Sequence, residues 1–325
     1  MESPKILNTV PGYATSSKPG RILRLYKDFR KNFSLLMLTL PMVIYVFIFN
    51  YLPIGGIIVA FKNYRFDEGI LGSKWIGLEN FKFFFTSPDV WRITRNTLGY
   101  NGLFIVLGLV VPVAFALLLF EIKGRTMLKV YQTTMFFPHF LSWVVVAYMA
   151  YSFLNPQSGL LNQLFVSLGL EPLDWYVQPR PWMFILPVAY IWKTVGMSTL
   201  MYYATLMGID HEYFEAAALE GASRWQITMK ITLPFLYPLM IILTILAIGH
   251  IFYADFGLFY QLPMNSSMLY STTDVIDTYV IRAIRENGNI AMASAADFYK
   301  SVVGFVLVML TNAIVRKHSA ENALF

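Results

Sequence analysis

EYFEAAALEGASRWQITMKITLP, residues 212–234, holds three acids, two bases and a mid-segment glycine, yet long apolar runs flank it on both sides. A hydrophobic chain keeps such an amphipathic, glycine-broken piece between two apolar runs when the piece presents a surface outside the lipid. Its local signals spell a helix, a stop and a second helix. Asp210 is placed to N-cap the first, and Glu212 falls in the first turn, where negative charge meets the positive end of the helix dipole. Tyr213, Phe214, Ala217 and Ala218 give that helix an apolar face, and small Ala216 and Ala217 allow close approach by another surface. Gly221 tolerates the left-handed conformation that ends a helix. Ser223 with Gln226 is a capping box that starts the next, and Pro234 marks the start of the following apolar run. The loop 210–234 is expected to lie as helix–glycine–helix across one end of a helical bundle.

The rest of the chain supplies the bundle. Hydrophobic residues make up 57% and charged residues 14% of the 325, with a mean hydropathy of +0.54. Soluble domains carry about 25% charged residues, so the composition belongs in a bilayer. A span needs roughly 20 largely apolar residues. Six are expected: 33–61, 98–120, 133–154, one from Trp182 to 209, 231–249 and a short one at 301–315. Asn155, Pro156, Gln157 and Gly159 break the apolar run that starts at 130. Beyond the break, Leu160, Leu161, Leu164, Phe165 and Leu168 recur at helical spacing while Asn162, Gln163 and Ser167 face away. That pattern reads as an interfacial helix. The fold class is all-α integral membrane with six transmembrane helices.

Charge sets the expected direction. Residues 1–32, the 121–132 and 205–234 loops and the tail hold 14 Lys and Arg against 8 Asp and Glu, whereas the opposite loops carry more acid than base. The positive-inside rule places both termini in the cytoplasm. The net charge of +6 is then accounted for by basic loops rather than by nucleic acid. Residues 1–32 lack the features of a cleavable signal peptide. There Ile22, Leu25 and Phe29 share a face opposite Arg21, Arg24, Lys27, Arg30 and Lys31, as in a basic helix lying on lipid. WIGLENFKFFF (75–85) is an aromatic segment suited to the outer interface. The organisation is a 1–32 segment, a 33–316 membrane domain and a 317–325 tail.

Catalytic constellations are scarce. Zero cysteines exclude disulfides and thiolate chemistry. HEYFE (211–215) lacks the second histidine of a zinc helix, GMSTL (196–200) lacks the closing glycine of a nucleophile elbow, and no phosphate-binding G-x-x-x-x-G-K-[ST] is present. No metal or cofactor site is therefore expected in this chain. Ionisable groups inside spans have the opposite default, because a charge at mid-bilayer costs at least ~2.5 kcal/mol and faces a cavity or a partner. Lys193 lines a polar path with Tyr190 and Trp192, or else pairs with an acid from another helix. His250 and Asp255, with Tyr253, Phe256, Phe259 and Tyr260, form a vestibule wall or an aromatic belt. Asp297 and Lys300, three apart, suit a salt bridge. Asp274 suits a helix cap; alternatively, Asp274 and Asp277 shape an outer loop or meet a partner.

Glu215, Ala216, Ala217, Gly221, Ile231, Leu233 and Pro234 reproduce E-A-A-x-x-x-G followed ten residues later by I-x-L-P. This resembles the signature of importer-type ABC transporter permeases. The resemblance runs from about 33 to 316. WIGLENF, FFPHFLSWVVVA (136–147), WKTVG (192–196) and DVIDTYVIR (274–282) look like the carbohydrate-uptake branch that handles oligosaccharides and polysaccharides. Glu220 stands where Asp is commoner, and Asp297 and Lys300 replace a small residue and an amide. The resemblance implies a bacterial cytoplasmic-membrane permease of type I importer fold, with a cytoplasmic coupling helix between spans four and five. Glu215, Ala216, Ala217, Gly221, Ser223, Leu233 and Pro234 would make or shape the contact with an ATPase. It also implies a second permease chain, two ATPase subunits that hold the ATP and magnesium, and an extracytoplasmic solute-binding protein. An ion-coupled secondary transporter would instead relay through Lys193, His250 or Asp255, but would leave the 210–234 loop unexplained. A permease for a non-sugar solute shares that loop.

Overall fold

The computed structural model describes residues 30–286 and 288–318. The expected lipid-surface helix over residues 21–31 falls almost wholly outside that range, as does the tail beyond His318. The chain divides into two units, one up to Gly56 and one from Ile57. In the first, α1 (Phe33–Val46) continues through a wider π turn at Phe47–Tyr51. Its apolar side chains are exposed, which suits hydrocarbon as solvent. The candidate span Phe33–Phe61 starts in this unit and ends in the second.

The second unit opens with a two-residue antiparallel ribbon, β1 (Lys62–Asn63) on β2 (Lys74–Trp75). The Lys62 ammonium closes its loop by donating to the carbonyls of Ile70 (2.8 Å) and Leu71 (3.1 Å). α2 (Glu79–Thr86) follows. The aromatic stretch here is more than an interfacial belt: Phe84 is fully buried with Ile93, Phe252 and Ile276. α3 (Asp89–Phe120) is longer than the apolar run suggested, because Ile93, Asn96 and Thr97 are buried and prolong it. At 1.5 Å per residue it extends about 48 Å, so Arg92 and Phe120 stand at opposite ends of the unit.

The third span is not the continuous 133–154 helix expected from hydropathy. α4 (Arg125–Phe136) runs into a 3-10 turn at Phe137–Phe140, and α5 (Trp143–Leu154) leaves at 100° to it. Pro138 has no N–H to continue an α-helix. Ser142 then adopts extended geometry, and its hydroxyl caps α5 by accepting from the Val145 N–H at 3.3 Å. Hydropathy averages across such a break without registering it. Among the described residues, five helices are long and apolar enough to cross a membrane, or six counting this bent pair.

α6 (Leu160–Ser167) is a helix as expected, but Asn162 does not face away. It is buried, donates to the Pro156 and Leu173 carbonyls, and accepts from the Leu173 N–H and the Trp175 indole. One amide thereby ties together a turn that has no secondary-structure ladder. α7 (Trp182–Leu206) packs along α3 and, through Gly196, against α4, where an added Cβ would collide with the Met135 carbonyl.

After α8 (His211–Leu219) comes a second correction. The short α9 (Arg224–Ile227) is not a separate crossing helix. It passes through a π turn (Thr228–Thr232) into α10 (Leu233–Gly249), so that Arg224–Gly249 is one candidate span. Pro234 cannot donate to the preceding turn, and the helix widens just before it instead of ending. α11 (Ile276–Arg285) precedes α12 (Ile290–His318), which begins eleven residues before the expected 301 because Ala291, Met292, Ala293, Ala295 and Ala296 are buried. α10 and α12 cross closely, and a Cβ on Gly304 would lie 2.7 Å from the Gly249 carbonyl oxygen.

Gly196→Ala is expected to lower stability by about 1–3 kcal/mol through overpacking against backbone that has no side chain to yield. Gly102→Ala, with open space around its Cβ, is expected to be neutral or to gain up to ~1 kcal/mol of helix propensity. Thermal unfolding of the two variants in detergent or nanodiscs checks the contrast.

Candidate functional site

At one end of the unit the 210–234 loop is built much as its residues dictate. The Asp210 carboxylate caps α8 by accepting the Glu212 N–H at 3.2 Å. Gly221 ends it at φ +78°, with the Ala222 N–H donating to the Ala217 carbonyl at 3.0 Å and the Gly221 N–H to Ala218 at 3.1 Å. Ser223 and Gln226 make the reciprocal capping box, at 3.3 and 2.7 Å.

One face of α8 is held. Phe214 packs on Phe120 at the end of α3, and Tyr213 on Phe235 at the start of α10, with ring centroids 5.6 and 5.5 Å apart. Arg224 pairs with Glu121 at 3.0 Å. Ala217 is half-buried on that side. The other face is open. Glu215 and Ala216 are exposed, and beside them stand two large apolar side chains, Leu219 at 90% and Trp225 at 70% exposure. Leu233 and Pro234 are half-buried at the root of α10.

Among the described residues, a cavity of about 510 Å³ opens between α3, α7 and α10 and the turn after it. Tyr190 lines it and stacks flat on Phe104 at 3.9 Å. Asn101 donates to the carbonyls of Ile251 (2.7 Å) and Tyr253 (3.2 Å), in the turn after α10, where no helix ladder supplies donors. Tyr253 lines the wall, its hydroxyl 2.7 Å from the Ser301 hydroxyl. Asp255 closes one corner, accepting from the Trp143 indole at 2.7 Å and the Leu258 N–H at 3.2 Å. Thr194 and Ser198 add hydroxyls one and two turns along α7.

Of the path residues expected from sequence, the structure brings Tyr190 and Tyr253 together in this cavity and leaves three outside it. Trp192 lines a separate apolar groove, and Phe256 stacks on Tyr260 at 4.7 Å. Among the described residues, the Lys193 ammonium is within ion-pair distance of no acid. It donates to the carbonyls of His139 (3.0 Å) and Leu141 (2.6 Å) at the α4–α5 break and stands over the Trp143 ring at 5.3 Å. It is a staple for a broken helix. Asn101 was not singled out from sequence, although an amide inside a charge-free run is a signal that a partner awaits it.

At the end far from α8, Asp274 is no helix cap. Its fully buried carboxylate takes Arg92 (2.9 Å), Arg282 (2.7 Å) and the Thr278 hydroxyl (2.8 Å). Asp277 receives Lys300 at 2.7 Å and the Ala254 N–H at 2.8 Å, while Lys300 also makes the expected pair with Asp297 at 2.8 Å. Arg282 lies over the Tyr270 ring at 4.2 Å. Burial pushes the Tyr270 phenol above its ordinary value, and the Arg282 charge opposes that rise.

Residues 108–317 match the model of the binding-protein-dependent transport system inner membrane component. The chain belongs to this family. It is 36% identical over 291 residues to the polygalacturonan/rhamnogalacturonan transport system permease protein YteP of Bacillus subtilis, covering 89% of each chain. It is 35% identical over 294 residues to Protein LplB of the same organism, covering 89% of this chain and 90% of that one. Its fold matches a chain from the crystal structure of a bacterial ABC transporter involved in the import of the acidic polysaccharide alginate. That match has a TM-score of 0.83 and 32% identity, and covers 91% of this chain and 99% of the other. The chain is thus a membrane-embedded permease subunit of an ABC importer, and the ion-coupled alternative loses its basis.

In this permease, Lys193→Met would leave two carbonyls at the α4–α5 break without donors. The expected loss is about 1–3 kcal/mol per abandoned group, with Lys193→Arg retaining part of it. The melting temperature of the purified protein reads this directly.

Proposed function

We propose that this chain is one half of the translocation pathway of an ATP-driven oligosaccharide importer, and that α8 is the element through which ATPase subunits drive it. The carrying observation is the division of α8 into a held face and an open one. Glu215, Ala216 and the neighbouring Leu219 and Trp225 offer charge and apolar area to a partner outside the bilayer. Phe214 and Tyr213 fasten the same helix to α3 and α10. Both of those helices line the cavity. A push on α8 thereby reaches the cavity walls through rigid helices, the condition for coupling docking to a rigid-body switch.

The cavity suits a sugar. Stacked Tyr190 and Phe104 offer an aromatic wall, and Thr194, Ser198, Tyr253 and Asp255 offer donors and acceptors. Relatives whose names specify polygalacturonan/rhamnogalacturonan and trehalose/maltose transport support a saccharide cargo. The alginate importer has also been crystallised with a pentasaccharide-bound periplasmic protein, which supports a solute-binding protein as partner. In this reading α8 and both termini face the cytoplasm of a bacterial cell, with a second permease chain completing the pathway. This chain performs no covalent step; ATP hydrolysis belongs to its partners.

The test is the double variant Glu215→Lys with Gly221→Pro in the co-expressed complex, first shown to insert as the wild type does. ATPase copurification and sugar uptake should both fall by at least ~10-fold, equivalent to 1.4 kcal/mol or more of docking free energy. Uptake that persists without the ATPase would sink the coupling role.

A further inference from the structure

Resting on the reading of the cavity as the cargo path, we infer that Asp277 and Asn101 are positioning residues for cargo, holding the one cavity wall that has no helix of its own. His250, Tyr253, Ala254 and Asp255 line the cavity. All four belong to the turn 250–255, between the end of α10 at Gly249 and the π turn at Gly257–Gln261. A helix fixes a wall through its own ladder. This turn keeps one internal backbone bond among the described residues, from the Tyr253 N–H to the His250 carbonyl at 2.8 Å.

Two side chains supply the rest. The Asn101 amide, on α3, donates to the Ile251 and Tyr253 carbonyls at 2.7 and 3.2 Å. Carbonyl oxygens only accept, so chemistry fixes which end of the amide faces them. The Asp277 carboxylate, on α11, accepts from the Ala254 N–H at 2.8 Å. The Tyr253 carbonyl and the Ala254 N–H are the two ends of a single peptide group. In a trans peptide they point in opposite directions, and no peptide bond here is cis. Asn101 and Asp277 therefore grip one peptide plane at its two edges. That grip sets the torsions on either side of the plane, and with them where the Tyr253 ring and the Asp255 carboxylate stand. Asp277 is itself anchored, its other oxygen taking the Lys300 ammonium of α12 at 2.7 Å. Asp277 does not line the cavity, so its effect on cargo passes through the turn. A binding constellation needs its groups held to within about 0.5 Å by such supporting bonds.

The test removes one grip at a time. Lys300→Met with Asp277→Asn keeps an oxygen for the Ala254 N–H and leaves no ammonium competing for it. Lys300→Met with Asp277→Leu deletes that oxygen in the same background. Asn101→Leu releases the other edge, and Tyr190→Ala serves as a control on the cavity itself. Each variant is assembled with its partners in nanodiscs, with ATPase copurification as the check on folding. Binding of radiolabelled trigalacturonate and maltotriose is measured without the solute-binding protein, and hydrogen exchange is followed in the 250–256 peptide. The Asn variant should bind within ~3-fold of wild type. The Leu variant and Asn101→Leu should bind at least ~10-fold more weakly, with exchange in 250–256 at least ~10-fold faster. Faster exchange with unchanged affinity would make the grip merely structural and overturn the inference. Equal losses in the Asn and Leu variants would remove Asp277 from it. Should the Leu variant fail to assemble, Asn101→Leu decides alone. If the wild type binds neither probe, or Tyr190→Ala changes nothing, the cavity is not the cargo path and this inference falls with that reading.

Discussion

A broken helix inside a bilayer is viable only if something supplies donors to the carbonyls it leaves bare, since lipid supplies none. Here the break lies between α4 and α5, and the donor is the Lys193 ammonium on α7. Much else follows from that contact. It sets where α5 departs, and so brings Trp143 against Asp255 and the Trp143 ring against Gly257, where an added Cβ would meet it. The corner of the cavity is thus an indirect product of a backbone satisfied from 54 residues away.

The end remote from α8 obeys the same rule with charges in place of carbonyls. Asp274 and Asp277 are affordable in a buried setting because arginines, a lysine, a threonine hydroxyl and a backbone N–H surround them. That network joins α3, α11 and α12 and the turn after α10. It gives the end of the unit remote from α8 a fixed geometry, against which the proposed motion at the α8 end would act.

Between these ends α3 and α10 serve two purposes. Each meets an aromatic of α8 at one end and lines the cavity further along. A continuous α10, extended back to Arg224 through a π turn, is a longer and stiffer lever than two helices joined at Pro234. In the proposed coupling, the motif around Gly221 marks where that lever would be gripped, and the cavity lies further along the same helices.

The residues alone determined what is local. Apolar length and charge located the membrane segments. Asp210 and Gly221 specified the cap and stop of α8, and Ser223 with Gln226 the cap of α9, because each acts on backbone within five residues of itself. The Asp297–Lys300 pair was legible for the same reason, lying one helical turn apart. Tertiary structure alone decided the partners of Lys193, Asn162 and Asp274, the 100° bend in the third span, and which of Tyr190, Trp192 and Tyr253 share a cavity. Asp274 meets Arg92 across 182 residues, and no periodicity or propensity carries a pairing over that distance. Hydropathy says that a polar group in a span needs a partner; only the packing of the helices says which one it gets.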